Sequence, residues 1–452
     1  MTTLYTAQWV LPIASATIED GAVVVEGALI AGVGTRAELL ARFPNADVRD
    51  YGAAALLPGF VNCHTHLELT AMRGYLEPEE SDFFAWLRKL TLARLLKMTP
   101  DDLYVSAAWG AVEAARAGVT SVGDASASAE EAMRALGDVG LRGIVYQEVF
   151  GPEPELAAEQ FAKLHERVAH LQAFESDLVR LGVSPHSPYT VSARLLEMVS
   201  DFAVNETFPL MIHTAESAAE ELLIREGRGT FAESFAQRDI AWSAPGLSSV
   251  QYLARCGVLR ARPLLAHCIR VDEQDIVMIK EAGASVAHCP KSNAKLGHGH
   301  APYHLFKKIA HGFGSDSVAS NNTCDILEEA RFATLMARAA ATKQDDGKPA
   351  AFTAHEALAT ATHGGARALW QDIQTGSLAE GQRADLIAIK LDGAHQTPVY
   401  DPARALIFAS SGRDVALTVV AGREVFHNGC VMTVDEDRLQ ARMIEIARKL
   451  PD

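Results

Sequence analysis

The stretch Ala53-Ala54-Ala55-Leu56-Leu57-Pro58-Gly59-Phe60-Val61-Asn62-Cys63-His64-Thr65-His66 reads as an apolar strand ending in two imidazoles. Side chains on a strand alternate between its faces, so His64 and His66, at i and i+2, point the same way. Two neutral nitrogen donors side by side suit a divalent metal such as zinc. A chain with 16 histidines produces an HxH occasionally by chance, and a solvated pair at a strand end is the plain alternative. The rest of the chain decides between the two.

Outward from this strand, residues 58–371 alternate strand-like apolar runs with longer amphipathic stretches, the pattern of βα units on a parallel sheet. Helical periodicity runs over 101–117, 127–136, 154–173, 192–204 and 326–341. Strand-like runs cover 119–124, 142–148, 179–184, 210–213, 263–267, 284–288 and 312–316. Together with a strand over 57–66 these make eight, the number of a closed (β/α)8 TIM barrel in an α/β protein. Residues 1–57 and 372–452 read as small β units instead. Ala22–Gly34 is β-branched and broken at Glu26-Gly27, as suits a hairpin, and 384–389 and 415–425 look alike. Both termini are expected to pair into one composite β-sandwich domain beside a catalytic barrel of 58–371.

Composition narrows the partners. The net charge of −16, with 41 basic and 57 acidic residues and no Lys/Arg run, argues against nucleic acid and anionic membrane. The 48% hydrophobic content is that of a globular enzyme with a sizeable core. Six cysteines lack any CxxC spacing, so neither a zinc ribbon nor a redox motif is readable, and Cys63 is expected in the core. No segment approaches the roughly 18 apolar residues of a membrane span. The first residues lack a signal-peptide pattern, so a cytoplasmic protein with reduced thiols is expected.

Five strand ends carry metal-competent side chains: His66, His186 just past Val183-Ser184-Pro185, His213, His267 and Asp316. In a parallel barrel these ends share one rim. Packing explains one such histidine but not the set. His64, His66 and His213 with Asp316 make a nitrogen-rich site with one carboxylate and leave a position for water. A divalent metal there lowers the pKa of that water from about 15.7 toward about 7. Glu216, three residues after His213, reaches the same water and can carry its proton to a leaving group; the plain alternative is a helix-start acid favoured by the dipole. His267 either orients the nucleophile or stabilises the tetrahedral centre. His298, His300 and His304 read as substrate contacts of a rim loop or as solvated rings. Phe83, Phe84 and Trp86 either wall the pocket or pack a helix onto the barrel.

Pro58-Gly59-Phe60-Val61-Asn62-Cys63-His64-Thr65-His66, His213-Thr214-Ala215-Glu216, Leu265-Ala266-His267-Cys268 and Gly314-Ser315-Asp316-Ser317 resemble, in order and character, the motifs of the amidohydrolase superfamily. The resemblance covers essentially the whole chain. It implies a barrel with one metal, zinc or alternatively iron, because no strand-four end presents the lysine of dinuclear members. Within the superfamily the residues resemble the branch that deaminates adenine-type and guanine-type rings and dechlorinates triazines. Ser184-Pro185-His186-Ser187-Pro188-Tyr189 resembles the segment whose histidine contacts substrate in S-adenosylhomocysteine and methylthioadenosine deaminases, and Asp316-Ser317-Val318-Ala319-Ser320 implies a substrate-binding Ser320.

His64-Thr65-His66-Leu67-Glu68-Leu69 and His288-Cys289-Pro290-Lys291-Ser292-Asn293 are similar to 6-aminodeoxyfutalosine deaminases. The ribose-binding Glu expected a few residues after Trp86 is missing from Leu90-Thr91-Leu92-Ala93-Arg94-Leu95, and Glu68 is the candidate to replace it, with a surface or helix-cap Glu as the plain alternative. The resemblance therefore implies hydrolytic deamination of 6-aminodeoxyfutalosine to futalosine and ammonia, with Glu216 protonating the ring nitrogen and His267 and Asp316 positioning the water. The alternatives are deamination of S-adenosylhomocysteine, methylthioadenosine or adenosine, and guanine deamination or triazine dechlorination at the same site. A non-catalytic barrel scaffold has no reason to keep the full set of residues. The implied partner is a small nucleoside-like molecule, and many relatives are homodimers.

Overall fold

The apolar run ahead of His64 is divided between two sheets at Gly59. The computed structural model, which describes residues 2–340 and 352–451, has five strands before that point: β1 (Thr2–Val10), β2 (Ile18–Glu26), β3 (Leu29–Thr35), β4 (Asp47–Asp50) and β5 (Ala54–Pro58). The next strand, β6 (Phe60–Thr65), belongs to another sheet. A Cβ on Gly59 would stand 2.1 Å from the Thr120 side chain, so only glycine lets the chain cross here. The Gly59 amide donates to the Asp385 carbonyl at 3.1 Å. The one strand expected over 57–66 is corrected to a strand exchange. An unbroken apolar run cannot reveal that its two halves are buried in different cores.

Seven more strands complete the barrel: β7 (Val119–Ser126), β8 (Arg142–Val149), β9 (Val179–Pro185), β10 (Met211–Thr214), β11 (Leu264–His267), β12 (Ser285–His288) and β13 (Ala310–Phe313). They pair in parallel in chain order, β6 to β9 and β10 to β13. Val183 and Leu210 bridge the two runs. At the other seam the Asp316 amide donates to the His64 carbonyl at 2.8 Å. Gly312 permits this approach, since a Cβ there would meet Cys63 Sγ at 2.3 Å. Side chains such as Val61, Ile144, Tyr146, Met211 and Leu264 fill the interior, so the barrel is a packed core rather than a pore.

The expected helices appear as Pro100–Arg116, Ala129–Val139, Ala157–Leu171, Ala193–Glu206 and Ile326–Ala340; Ala341, the last residue expected in the fifth, lies outside the described residues. Thr99 starts the first of these with a capping box to Asp102 and proline at the first turn. Among the described residues no helix is long and apolar enough to cross a membrane.

β14 (Leu386–Lys390), β15 (Val415–Val420), β16 (Arg423–His427) and β17 (Cys430–Val431) join the first five strands in one nine-stranded sheet. Its order is β17-β16-β15-β14-β5-β1-β2-β3, with β4 on β1. The sheet curls until the start of β3 meets residues 381–384: Ile30 donates to the Gln382 carbonyl and Ala384 to the Ala28 carbonyl, each at 2.9 Å. One core therefore gathers Tyr5, Val23, Ile30, Leu56, Leu386 and Leu417 from across the sheet, as in a sandwich. Gly27, at φ +58, makes the turn of the β2–β3 hairpin. Beyond β17 the helix Glu436–Lys449 leaves the sheet and docks on Pro100–Arg116, with Lys449 on Asp102 at 3.0 Å and Arg442 on Asp101 at 2.8 Å.

Arg142, at the start of β8, forks onto Asp385 with bonds of 2.8 and 3.1 Å, and Asp385 also accepts the Ala421 amide at 2.7 Å. This buried pair ties the barrel to the curled sheet. Removing one partner strands a charge away from water. Asp385→Ala is expected to cost about 3–5 kcal/mol, read from the shift of the denaturant midpoint. A loss under about 1 kcal/mol would show that the pair is not a tie.

Candidate active site

His64 is the penultimate residue of β6, and His66 follows the strand ahead of a 3-10 turn, Leu67–Met72. The strand carries His64 to its end and His66 stands just beyond it, at φ −132 and ψ 81, with the two ring centroids 4.9 Å apart. His213 on β10 brings its Nε2 to 3.2 Å from that of His66, and its ring to 4.8 Å from that of His64. Asp316, past the end of β13, sets Oδ1 3.5 Å from His64 Nε2 and 3.6 Å from His66 Nε2. The four residues expected as metal ligands are thus gathered from three strand ends.

The donors suit a divalent cation. Burial pushes His64 down to about 4 and His213 well below the ordinary histidine value, so both rings are neutral. His213 Nδ1 lies 2.9 Å from the His186 carbonyl. A carbonyl only accepts, so Nδ1 carries the proton and Nε2 presents a lone pair. His64 Nε2 is buried without a partner. Burial works against ionisation of Asp316, yet the adjacent His64 ring and the surrounding imidazoles hold its carboxyl well below the usual range. The ring nitrogens of His64, His66 and His213 form one group of candidate ligand atoms, and His64, His267 and Asp316 form another; donors so gathered are costly unless a cation joins them.

The backbone around these residues is strained and held. Ala215, His267, Cys268 and Asp316 all have positive φ, between 49° and 73°, a conformation that costs about 1–3 kcal/mol and clusters at functional sites. Glu220 accepts the amides of Ala215 and Glu216 at 2.8 and 2.9 Å. Asp316 Oδ2 accepts from the hydroxyls of Ser292 at 2.5 Å and Ser320 at 3.0 Å, while Oδ1 accepts the Ser317 amide at 2.7 Å. Ser320, expected as a substrate contact, is buried behind Asp316 with its hydroxyl on that carboxylate. Of the serines that follow Asp316, Ser317 lines the cavity. A helical turn from Ser317 to Asn321 turns the Ser320 hydroxyl back toward the carboxylate.

Glu216 lies beside the cluster. Its Oε2 accepts the Tyr189 hydroxyl at 3.3 Å, and its Oε1 is 3.6 Å from His267 Nε2 and 3.8 Å from His298 Nε2. His267 Nδ1 is 2.9 Å from Asn293 Oδ1. Burial works against protonation of His267, but the Glu216 and Asp316 carboxylates and the Asn293 bond together raise its pKa above the ordinary value.

A cavity of about 620 Å³ opens from the cluster. Its inner wall carries His186, Glu148 and Tyr189. His186 Nδ1 meets the Thr190 hydroxyl at 2.8 Å, its ring lies tilted against His213 with centroids 4.6 Å apart, and burial pushes it down to about 3. Glu68 lines the cavity too, but its carboxylate is already taken by Arg94 at 2.9 Å, the Ser126 hydroxyl at 2.7 Å and the Ser128 amide at 2.9 Å. Arg94 reaches the expected ribose contact, Glu68, from the facing helix Phe83–Lys97.

The outer wall is apolar. Phe83, Phe84 and Trp86 reach it, and so do Phe231 and Phe235 from the helix Thr230–Gln237. Sequence reasoning missed Glu148 and Tyr189. A polar pair, Gln147-Glu148, at the end of a strand run was the available signal for the first.

Comparison with known proteins follows the same lines. The profile of the amidohydrolase family matches residues 55–425, and an imidazolonepropionase-like bacterial composite domain matches 21–46. A 5-methylthioadenosine/S-adenosylhomocysteine deaminase of Symbiobacterium thermophilum is 31% identical over 437 residues, 96% of this chain and 94% of that protein. A zinc-bound adenosine deaminase of Xanthomonas campestris superposes with a TM-score of 0.87 at 27% identity, covering 99% of this chain and 98% of the other. An aminofutalosine deaminase of Helicobacter pylori shares the fold, with a TM-score of 0.75 at 21% identity over 94% of this chain and all of the other.

Glu148 offers a test of this burial. Desolvation, then the charge of Glu68, pushes its carboxyl up to about 8, and its Oε1 has no partner. An acid whose pKa rises on folding leaves stability intact below its unfolded value, about 4.3, and lowers it as pH climbs toward the folded value. In the metal-stripped protein, Glu148→Gln should melt above the wild type at about pH 8.5, with the gap closing by about pH 5. Equal melting temperatures at both pH values would contradict the burial.

Proposed function

The chain belongs to the amidohydrolase family, and we propose that it is a metal-dependent deaminase that hydrolyses the exocyclic amine of an adenine-type ring in a nucleoside. Glu216 carries the reading: a buried carboxylate beside the four convergent donors, bonded to Tyr189 and near His267 rather than counted among the donors. A carboxylate so placed moves protons.

His64, His66, His213 and Asp316 would hold one divalent ion, zinc in this reading, which when bound supplies Lewis acidity toward a water. Glu216 takes a proton from the attacking water and delivers it to the ring nitrogen. His267, oriented through Asn293, keeps Nε2 toward the nucleophile. The C–N bond then breaks, and the amine leaves as ammonia with the second proton of the water. His186 and Glu148 offer polar contacts to the ring and sugar at the inner wall. The barrel, 58–371 in this reading, supplies all of these residues.

The deaminases named above support the ring class. For the rest of the substrate, the apolar outer wall and Arg88, which has no ion-pair partner among the described residues, suit a nucleoside with a large aryl extension ending in an acid. This supports 6-aminodeoxyfutalosine. The 31% identity to a methylthioadenosine/S-adenosylhomocysteine deaminase favours those nucleosides as the second reading.

Ammonia release by metal-replete protein on 6-aminodeoxyfutalosine, methylthioadenosine, S-adenosylhomocysteine and adenosine tests both. The first is expected to be turned over fastest, and chelation should abolish turnover. Glu216→Gln should lower kcat by about 10²–10⁴-fold with metal content unchanged. Preference for the sulfur nucleosides would select the second reading, and silence on all four would overturn the deaminase assignment.

A further inference from the structure

Of the histidines in the Gly297-His298-Gly299-His300 loop, one turns inward. His298 is 7% exposed, whereas His300 faces solvent. Gly297 and Gly299 flank it at φ +70 and +95, backbone conformations that other residues rarely adopt. Nothing lies within 4 Å of where either Cβ would be, so these glycines serve the turn and not close packing. The turn follows the helix Pro290–Lys295, and the His298 amide donates to the Asn293 carbonyl at 2.9 Å.

The His298 ring meets Phe83 edge to face, with centroids 4.5 Å apart, and brings its Nε2 to 3.8 Å from Glu216 Oε1. That nitrogen is buried with no hydrogen-bond partner. Such a group costs free energy unless it finds a partner during function, and Glu216 Oε1 is the acceptor it faces. The other oxygen, Oε2, already has the Tyr189 hydroxyl.

We propose that His298 is a positioning residue for Glu216, donating from Nε2 to Oε1 while Tyr189 donates to Oε2. This rests on the reading of Glu216 as the proton carrier. With a neutral donor on each oxygen, the carboxylate cannot swing onto the metal as a further ligand and stays aimed at the substrate ring. Phe83 lines the cavity, so a bound nucleoside packs against the ring that backs His298. The 3.8 Å gap closes as that packing forms, as hydrogen bonds between catalytic groups commonly do when substrate binds.

A double-mutant cycle on turnover of the accepted nucleoside tests this, with zinc content and melting temperature as controls. His298→Ala should lower kcat by about 10–100-fold with KM within about threefold, and His298→Gln, which keeps an N–H donor, should recover most of it. In a Glu216→Gln background His298→Ala should have no further effect, because its action passes through that carboxylate. An additive loss in the double variant, wild-type kcat in His298→Ala, or no recovery in His298→Gln would overturn the proposal. Undiminished activity of Glu216→Gln alone would instead remove the reading on which it rests. A crystal structure of the zinc-loaded protein with adenosine should show His298 Nε2 within about 3.2 Å of Oε1; a ring turned away would refute the contact whatever the turnover.

Discussion

One hydrogen bond both closes the barrel and assembles its site. The Asp316 amide donates to the His64 carbonyl at 2.8 Å, joining the last strand region to the first. The same two residues carry side chains whose polar atoms then stand 3.5 Å apart. Parallel pairing alone orders the strands but leaves the ends of the series far apart. Closure brings them together, and glycine makes it sterically possible: a Cβ on Gly314 would stand 2.9 Å from both Cys289 Sγ and His64 Cβ. A side chain there would prise the seam open and separate the His64 ring from the Asp316 carboxylate.

The converged site is costly as protein alone. It holds neutral imidazoles with unshared lone pairs, a buried carboxylate and four left-handed non-glycine residues. The costs are offset locally. Glu220 holds the two amides at Ala215 and Glu216, and Ser292, Ser320 and Ser317 hold Asp316. A cation would supply the remaining stabilisation, since its binding energy is shared with folding when the ligands come from distant segments. Glu220, Ser292 and Ser320 sit on short helices that follow the strands, and Ser317 caps one of them, so precision at the rim depends on the whole barrel.

The cavity divides the labour between two surfaces. Its inner wall is polar and belongs to barrel strand ends and the segments just past them, with His186, Glu148 and Glu216 around His66, His213 and Asp316. Its outer wall is aromatic and belongs to helices Phe83–Lys97 and Thr230–Gln237, outside the alternating framework. Chemistry on a rigid inner rim and recognition on an added outer wall let one barrel serve different substrates. Phe83 touches both, lining the cavity and packing on His298.

The strand periodicity of Phe60–Thr65 was enough by itself to put His64 and His66 together, because i and i+2 share a face wherever the strand lies. The alternation of apolar runs and amphipathic helices likewise determined eight strands, and with them a common rim for His213, His267 and Asp316. The amidohydrolase motifs stood complete in the chain for the same reason: each is local, a few residues at one strand end. What these residues do to one another was decided only by the tertiary structure. Glu68 meets Arg94, Ser320 turns behind Asp316, and His298 turns in toward Glu216 through contacts between segments far apart in the chain. The splitting of the apolar run at Gly59 is of the same kind. Hydrogen-bond partners and steric limits across elements carry no periodic signature, so the sequence determined which chemistry is present and the fold decided which side chains are free to perform it.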